Sequence, residues 1–168
     1  MVKEIILLGN PKLYQISSII EKEERNIIKE LVNDLHDTLI DYKNKYGAGR
    51  AIASPQIGVF KRLLYMYIDK PVVFINPILI LEDDDFMEVL DDCMSFPELL
   101  VKVKRHKRCT IQFKDMNFND SEMKLEGDLS ELVQHEYDHL DGILATMRAI
   151  DDKSVCLKSQ KSVFKGGS

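Results

Sequence analysis

The segment His135-Glu136-Tyr137-Asp138-His139 restricts what this chain can fold into more than any other. Two histidines four residues apart share a face on a helix, where both imidazoles can reach one ion. Glu136 then lies beside the pair, free to take a proton from a water that such an ion activates. The neighbours Leu132, Val133 and Leu140 are apolar and call for burial of this helix against a core. Two ligands are one short of a catalytic site of the zinc type, which takes three protein ligands and leaves one position open. A histidine six residues after His139 would continue the metzincin pattern, but Ala145 stands there. Only 29 residues follow His139, with no long helix to supply an acidic ligand. The third ligand is therefore expected upstream.

Cys93, in Asp91-Asp92-Cys93-Met94-Ser95-Phe96-Pro97, is the upstream candidate. Taken alone it reads as an inert core thiol. Beside the histidine helix it completes a Cys-His-His set with an open fourth position. The chain has three cysteines, Cys93, Cys109 and Cys156, an odd count that argues against a disulfide framework and for a reducing cytoplasm. The opening residues carry too short an apolar stretch for a signal peptide and no small-residue cleavage site. A third segment, Gly47 to Gly58, is rich in small residues that let a backbone or substrate approach closely. Within it Gln56 can aim an amide N–H at a developing oxyanion; by itself the segment reads as a loop between helix and strand.

The periodicity sets these segments in an α+β domain with antiparallel sheets. Glu23 to Tyr42 reads as an amphipathic N-terminal helix, with Ile28, Leu31, Val32, Leu35 and Leu39 on one face, ended by Gly47 and Gly49. Strands are expected over Arg62–Ile68, Val72–Leu81, Val101–Arg105, Thr110–Phe113 and Glu122–Leu125. The histidine helix should run from Leu129 to Leu140, capped by Asp128 or Ser130 and stopped by Gly142. Glu82 to Asp85 reads as a surface turn, and Lys102 to Arg108 as an exposed basic strand edge. With 168 residues, 45% of them hydrophobic, one compact domain over residues 1–150 and a short polar tail over 151–168 are expected. The final Lys165-Gly166-Gly167-Ser168 reads as the end of that tail. Twenty-three basic against 28 acidic residues give a net charge of −5, which argues against bulk nucleic-acid binding. No apolar run approaches the 18 or so residues of a membrane span. The residues indicate no oligomeric state.

In this order the three segments resemble the signature motifs of the peptide deformylases: a glycine-rich loop ending in Ala-Ala-Pro-Gln, then Glu-Gly-Cys-Leu-Ser, then His-Glu-x-x-Asp-His. The third is intact from His135 to His139, with Gln134 before it and Leu140 and Gly142 after. Leu8-Gly9-Asn10-Pro11-Lys12-Leu13 resembles the family's N-terminal arm, so the likeness runs from about Leu7 to Leu144. It implies Cys93, His135 and His139 as ligands of one divalent metal ion, natively Fe(2+), with Zn(2+) or Ni(2+) as occupants of isolated protein. Glu136 is implied as general base on the metal-bound water. Gln56 and the backbone N–H of Met94 are implied as oxyanion donors. Arg105 matches a basic position of the family and reads as an ion-pair partner for Asp138 or Asp91. The implied reaction removes the formyl group from N-formylmethionyl peptides or nascent chains. The implied fold packs antiparallel sheets around a metal-binding C-terminal helix.

The departures from the family motifs are Asp91 for glutamate, Asp92 and Ala51 for glycines, Ser54 for alanine, and Arg50 for a commonly apolar residue. They lie where a peptide would run and leave the metal chemistry intact. A changed formyl or acyl substrate, or a catalytically silent metal-binding paralogue, are the alternatives they raise. Asp92 adds negative charge, from which slower turnover and a preference for basic over acidic residues after the methionine are expected.

Overall fold

Helix α1 (Ile28–Tyr46) turns Ile28, Leu31, Leu35, Leu39 and Tyr42 inward, the spacing of one helical face. It starts later than the periodicity indicates because Lys22–Ile27 winds as a tighter 3-10 turn. Gly47 ends it in the left-handed conformation, φ 71°, returning its N–H to the Lys43 carbonyl at 2.8 Å. The computed structural model describes residues 1–166; of the closing residues read as tail, Gly167 and Ser168 lie outside the described residues.

The larger antiparallel sheet has five strands: β1 (Ala51–Ala53), β2 (Leu63–Tyr67), β3 (Pro71–Ile80), β6 (Arg108–Lys114) and β7 (Asp120–Glu126), in that order. Side chains alternate across a sheet, and here both faces at β1 and β2 are covered. Ile52, Leu63, Tyr65 and Ile75 pack on α1. Ala51, Ala53, Leu64, Met66 and Phe74 pack with Leu132, Val133 and Leu140 of helix α2 (Asp128–Leu140). The smaller sheet has the order β4 (Phe86–Asp91), β5 (Leu99–His106), β8 (Val155–Leu157). Its apolar side, Val101 and Val103, packs on Cys93, Phe96 and Ala145. A short helix α3 (Lys161–Gly166) follows.

Three expectations are corrected. The basic strand β5 is no edge: β4 pairs with it over six positions, Phe86↔His106 to Asp91↔Val101, and β8 pairs on the other side, Leu99↔Leu157 to Val101↔Val155. The stretch after residue 150, read as polar tail, therefore contributes a strand. Neither Asp128 nor Ser130 caps α2; the N-cap is Gly127. Asp128 instead pairs with Arg50, and the Ser130 hydroxyl donates to the His106 carbonyl at 2.9 Å. Gly142 does follow the helix end with φ 71°, and a Cβ there would lie 2.3 Å from the Tyr14 carbonyl oxygen. Among the described residues no helix is long and apolar enough to cross a membrane.

Candidate metal centre

Helix α2 holds His135 and His139 one turn apart on the face that packs against the sheet, their ring centroids 5.1 Å apart. The turn after β4 brings Cys93 to them, its Sγ 3.4 Å from His139 Nε2. One ligand atom from each of Cys93, His135 and His139 lies within 4.8 Å of the others, and all three residues are buried. A thiol and two imidazoles at this spacing suit a divalent ion of intermediate softness.

The surrounding charges set the ligands' orientation. Asp91 is fully buried; its Oδ2 accepts from His135 Nδ1 at 3.0 Å and from Arg105 Nη2 at 2.7 Å. A carboxylate at Nδ1 fixes the proton there and leaves Nε2 free for a ligand. Burial opposes ionisation of Asp91, but the His135 and Arg105 partners outweigh it and hold the carboxyl below the usual range. Arg105 also donates to Asp138 Oδ2 at 2.8 Å, so it joins both acids between which the sequence left a choice. Arg148 closes the far side, Nε to Asp138 Oδ2 at 2.6 Å and Nη2 to Oδ1 at 2.9 Å. Burial works against charge on both rings. For His135 the Cys93 sulfur and Asp91 reverse it and raise the pKa; for His139 burial, joined by His135 and Arg105, drives it well below the ordinary value.

Glu136 is buried, and among the described residues its Oε2 has no hydrogen-bond partner. Burial pushes its carboxyl up to about 7. Gln56 sits in a 3-10 turn directly after β1. Its Oε1 accepts from the Ala53 backbone N–H at 2.9 Å, which turns Nε2 towards Ser95 Oγ (3.1 Å) and Cys93 Sγ (3.7 Å). Met94, next to Cys93, lines the same cavity of about 360 Å3 as His135 and Glu136. The structure thus brings Cys93, Met94, Gln56, His135, Glu136 and His139 to one place. Asp92 stands half-exposed at the rim, 3.8 Å from Lys158 Nζ.

The N-terminal arm ties the three segments together. Ile6 N–H donates to the Gln56 carbonyl, Leu8 N–H to Ser95 and Ser17 N–H to Leu140, each at 2.8 Å.

The polypeptide deformylase family model matches residues 2–155. This chain belongs to the peptide deformylase family. Among its relatives, the peptide deformylase of Pseudothermotoga lettingae is 37% identical over 144 residues, 86% of this chain and 81% of the relative. That of Dictyoglomus turgidum is 31% identical over 92% of this chain and 97% of its own length. The crystal structure of peptide deformylase from Thermotoga maritima superposes with a TM-score of 0.81 at 29% identity, covering 90% of this chain and 99% of the other. The deformylase family places the chain among metal-dependent hydrolases acting on a formyl amide. The cluster of Cys93, His135 and His139 is where the described residues can hold a divalent metal.

Sequence reasoning passed over Glu131, Arg148 and Ser95. Glu131 was within reach of it: it lies four residues before His135, hence on the ligand face, and lines the cavity. Burial and the nearby Asp91 carboxylate raise its carboxyl to about 8. Arg148 had no such signal, since a 3-10 turn between α2 and β8 carries it back to Asp138.

Proposed function

We propose that this chain removes the N-formyl group from the initiator methionine of newly made polypeptides, in the cytoplasm. Cys93, His135 and His139 would hold the metal, and Fe(2+) is the ion the family resemblance implies, with Zn(2+) or Ni(2+) as substitutes. The observation that carries the reading is a buried thiol and two imidazoles, within 4.8 Å of one another, beside the unpartnered Oε2 of Glu136. Bound there, a divalent ion supplies Lewis acidity, which polarises a carbonyl and makes water easier to deprotonate.

The chain's own groups do the rest. Glu136 takes a proton from the attacking water and passes it to the departing amine nitrogen. Burial favours the neutral carboxyl and so helps Glu136 hold that proton between the two halves of the exchange. Gln56 Nε2, held by the Ala53 anchor on its other end, and the Met94 backbone N–H donate to the oxyanion. The unpaired edge of β1 faces the substrate. Arg50 carbonyl accepts from Tyr67 N–H, so the strand's alternation turns the Ala51 amide and carbonyl away from β2 and towards the cavity. A catalytically silent role gains no support, because Glu136 and Gln56 serve turnover rather than metal retention.

The test is formate release from formyl-Met-Ala by iron-loaded protein kept anaerobic, with metal analysis of Cys93→Ser, His135→Ala and His139→Ala. The expected result is turnover in the parent and loss of bound metal in each variant. Unchanged stoichiometry in any variant removes that residue from the ligand set, and no formate from the metal-loaded parent ends the reading.

A further inference from the structure

The cavity beside the ligand cluster is walled partly by charge. Its volume is about 360 Å3, and it lies between the 47–51 loop, the turn at Asp92 to Met94, and α2. Tyr42, Met94 and Leu132 give it apolar surface, while Arg50 and Glu131 bring a guanidinium and a carboxyl to its wall. Arg50 reaches from the loop to α2, where Nη1 pairs with Asp128 and Nη2 stops 3.8 Å from Glu131 Oε2. That second separation is too long for a hydrogen bond. The guanidinium therefore keeps a free donor, and Glu131 an acceptor, on the same gap.

We infer that Arg50 and Glu131 determine specificity, and that the formylated residue they suit best carries an acceptor and a donor together, as a side-chain carboxamide does. This rests on the hydrolase reading above. The carboxamide oxygen would accept from Arg50 and its NH2 would donate to Glu131. A thioether offers neither, so methionine displaces water from both polar groups without replacing its hydrogen bonds. Methionine is accepted on the apolar surface, but without the advantage that an all-apolar cavity gives it. Glutamine has nearly the length of methionine, so comparing the two isolates polarity from size.

The experiment measures kcat/KM of the metal-loaded enzyme on formyl-Met-Ala and formyl-Gln-Ala, in the parent and in Arg50→Leu. Arg50 and Asp128 are side chains at the surface, 37% and 76% exposed, so the variant should fold. Dissociation constants of the unformylated Met-Ala-Ser and Gln-Ala-Ser are measured alongside, because they do not depend on turnover. The expected result is a glutamine substrate within tenfold of methionine or better in the parent. Arg50→Leu should then shift the ratio at least tenfold towards methionine, in both rates and binding. A parent preference for methionine above tenfold, or an unchanged ratio in the variant, overturns the inference and leaves the hydrolase reading standing. If neither formyl peptide releases formate, the hydrolase reading falls, and the binding ratios alone decide the side-chain preference.

Discussion

Leaving one carboxyl oxygen of Glu136 buried without a partner costs stability, since a desolvated acceptor loses its water for nothing. Glu136→Gln keeps the shape and removes the proton acceptor. Formate release should fall by about a hundredfold or more, with metal content unchanged. Parallel formate and metal assays check it, and full activity would reassign the proton to another group. Asp91 bears on the same site indirectly, through the His135 ring it orients. Asp91→Asn should weaken metal retention by about 10- to 100-fold, read by competition with a coloured chelator. At this scale the sequence was informative wherever chemistry needs a fixed spacing, as with His135 and His139. It was silent where a partner arrives through the fold, as with Arg148 on Asp138. Arg105 lies between: its role as an ion-pair partner could be read, but not that it serves two acids at once.

The elements that could be read were those with a long enough period. Helix α2 and strands β2, β3, β5, β6 and β7 were all foreseen within a few residues. Strands β1 and β8 have three residues each, too few for alternation to show. Strand β4 showed only as a strand-like run before Cys93, without bounds, because most of its side chains are half-covered and inside and outside positions do not separate by polarity. The end of α2 shows how tightly elements meet. Gly142→Ala would drive a Cβ to 2.3 Å from the Tyr14 carbonyl, at a backbone angle that alanine resists. Tyr14 O is main chain and cannot swing aside. Unfolding in urea should show a loss of at least about 2 kcal/mol, and an unchanged midpoint would mean that the arm yields without cost.

For the molecule as a whole, the ligand cluster links the turn after β4 of the smaller sheet to α2, so binding and folding share one free energy. A metal that binds only the folded chain at a hundred times its Kd adds about 2.7 kcal/mol. At this chain length that is roughly 5 to 10 °C in Tm. Chelation should lower the melting temperature by that amount in the parent and hardly at all in His139→Ala; equal shifts in the two would place the metal's effect elsewhere.

The N-terminal arm gives the order of synthesis a part in this. Its three anchors lie at Gln56, Ser95 and Leu140, so earlier residues wait for ones made much later. While the ribosome is still working, Ile6 and Leu8 find their anchors early, and Ser17 must wait for α2 to emerge. A copy that stops short of α2 therefore carries an unfinished cleft, lacking His135, Glu136, His139 and the Leu140 anchor of the arm together.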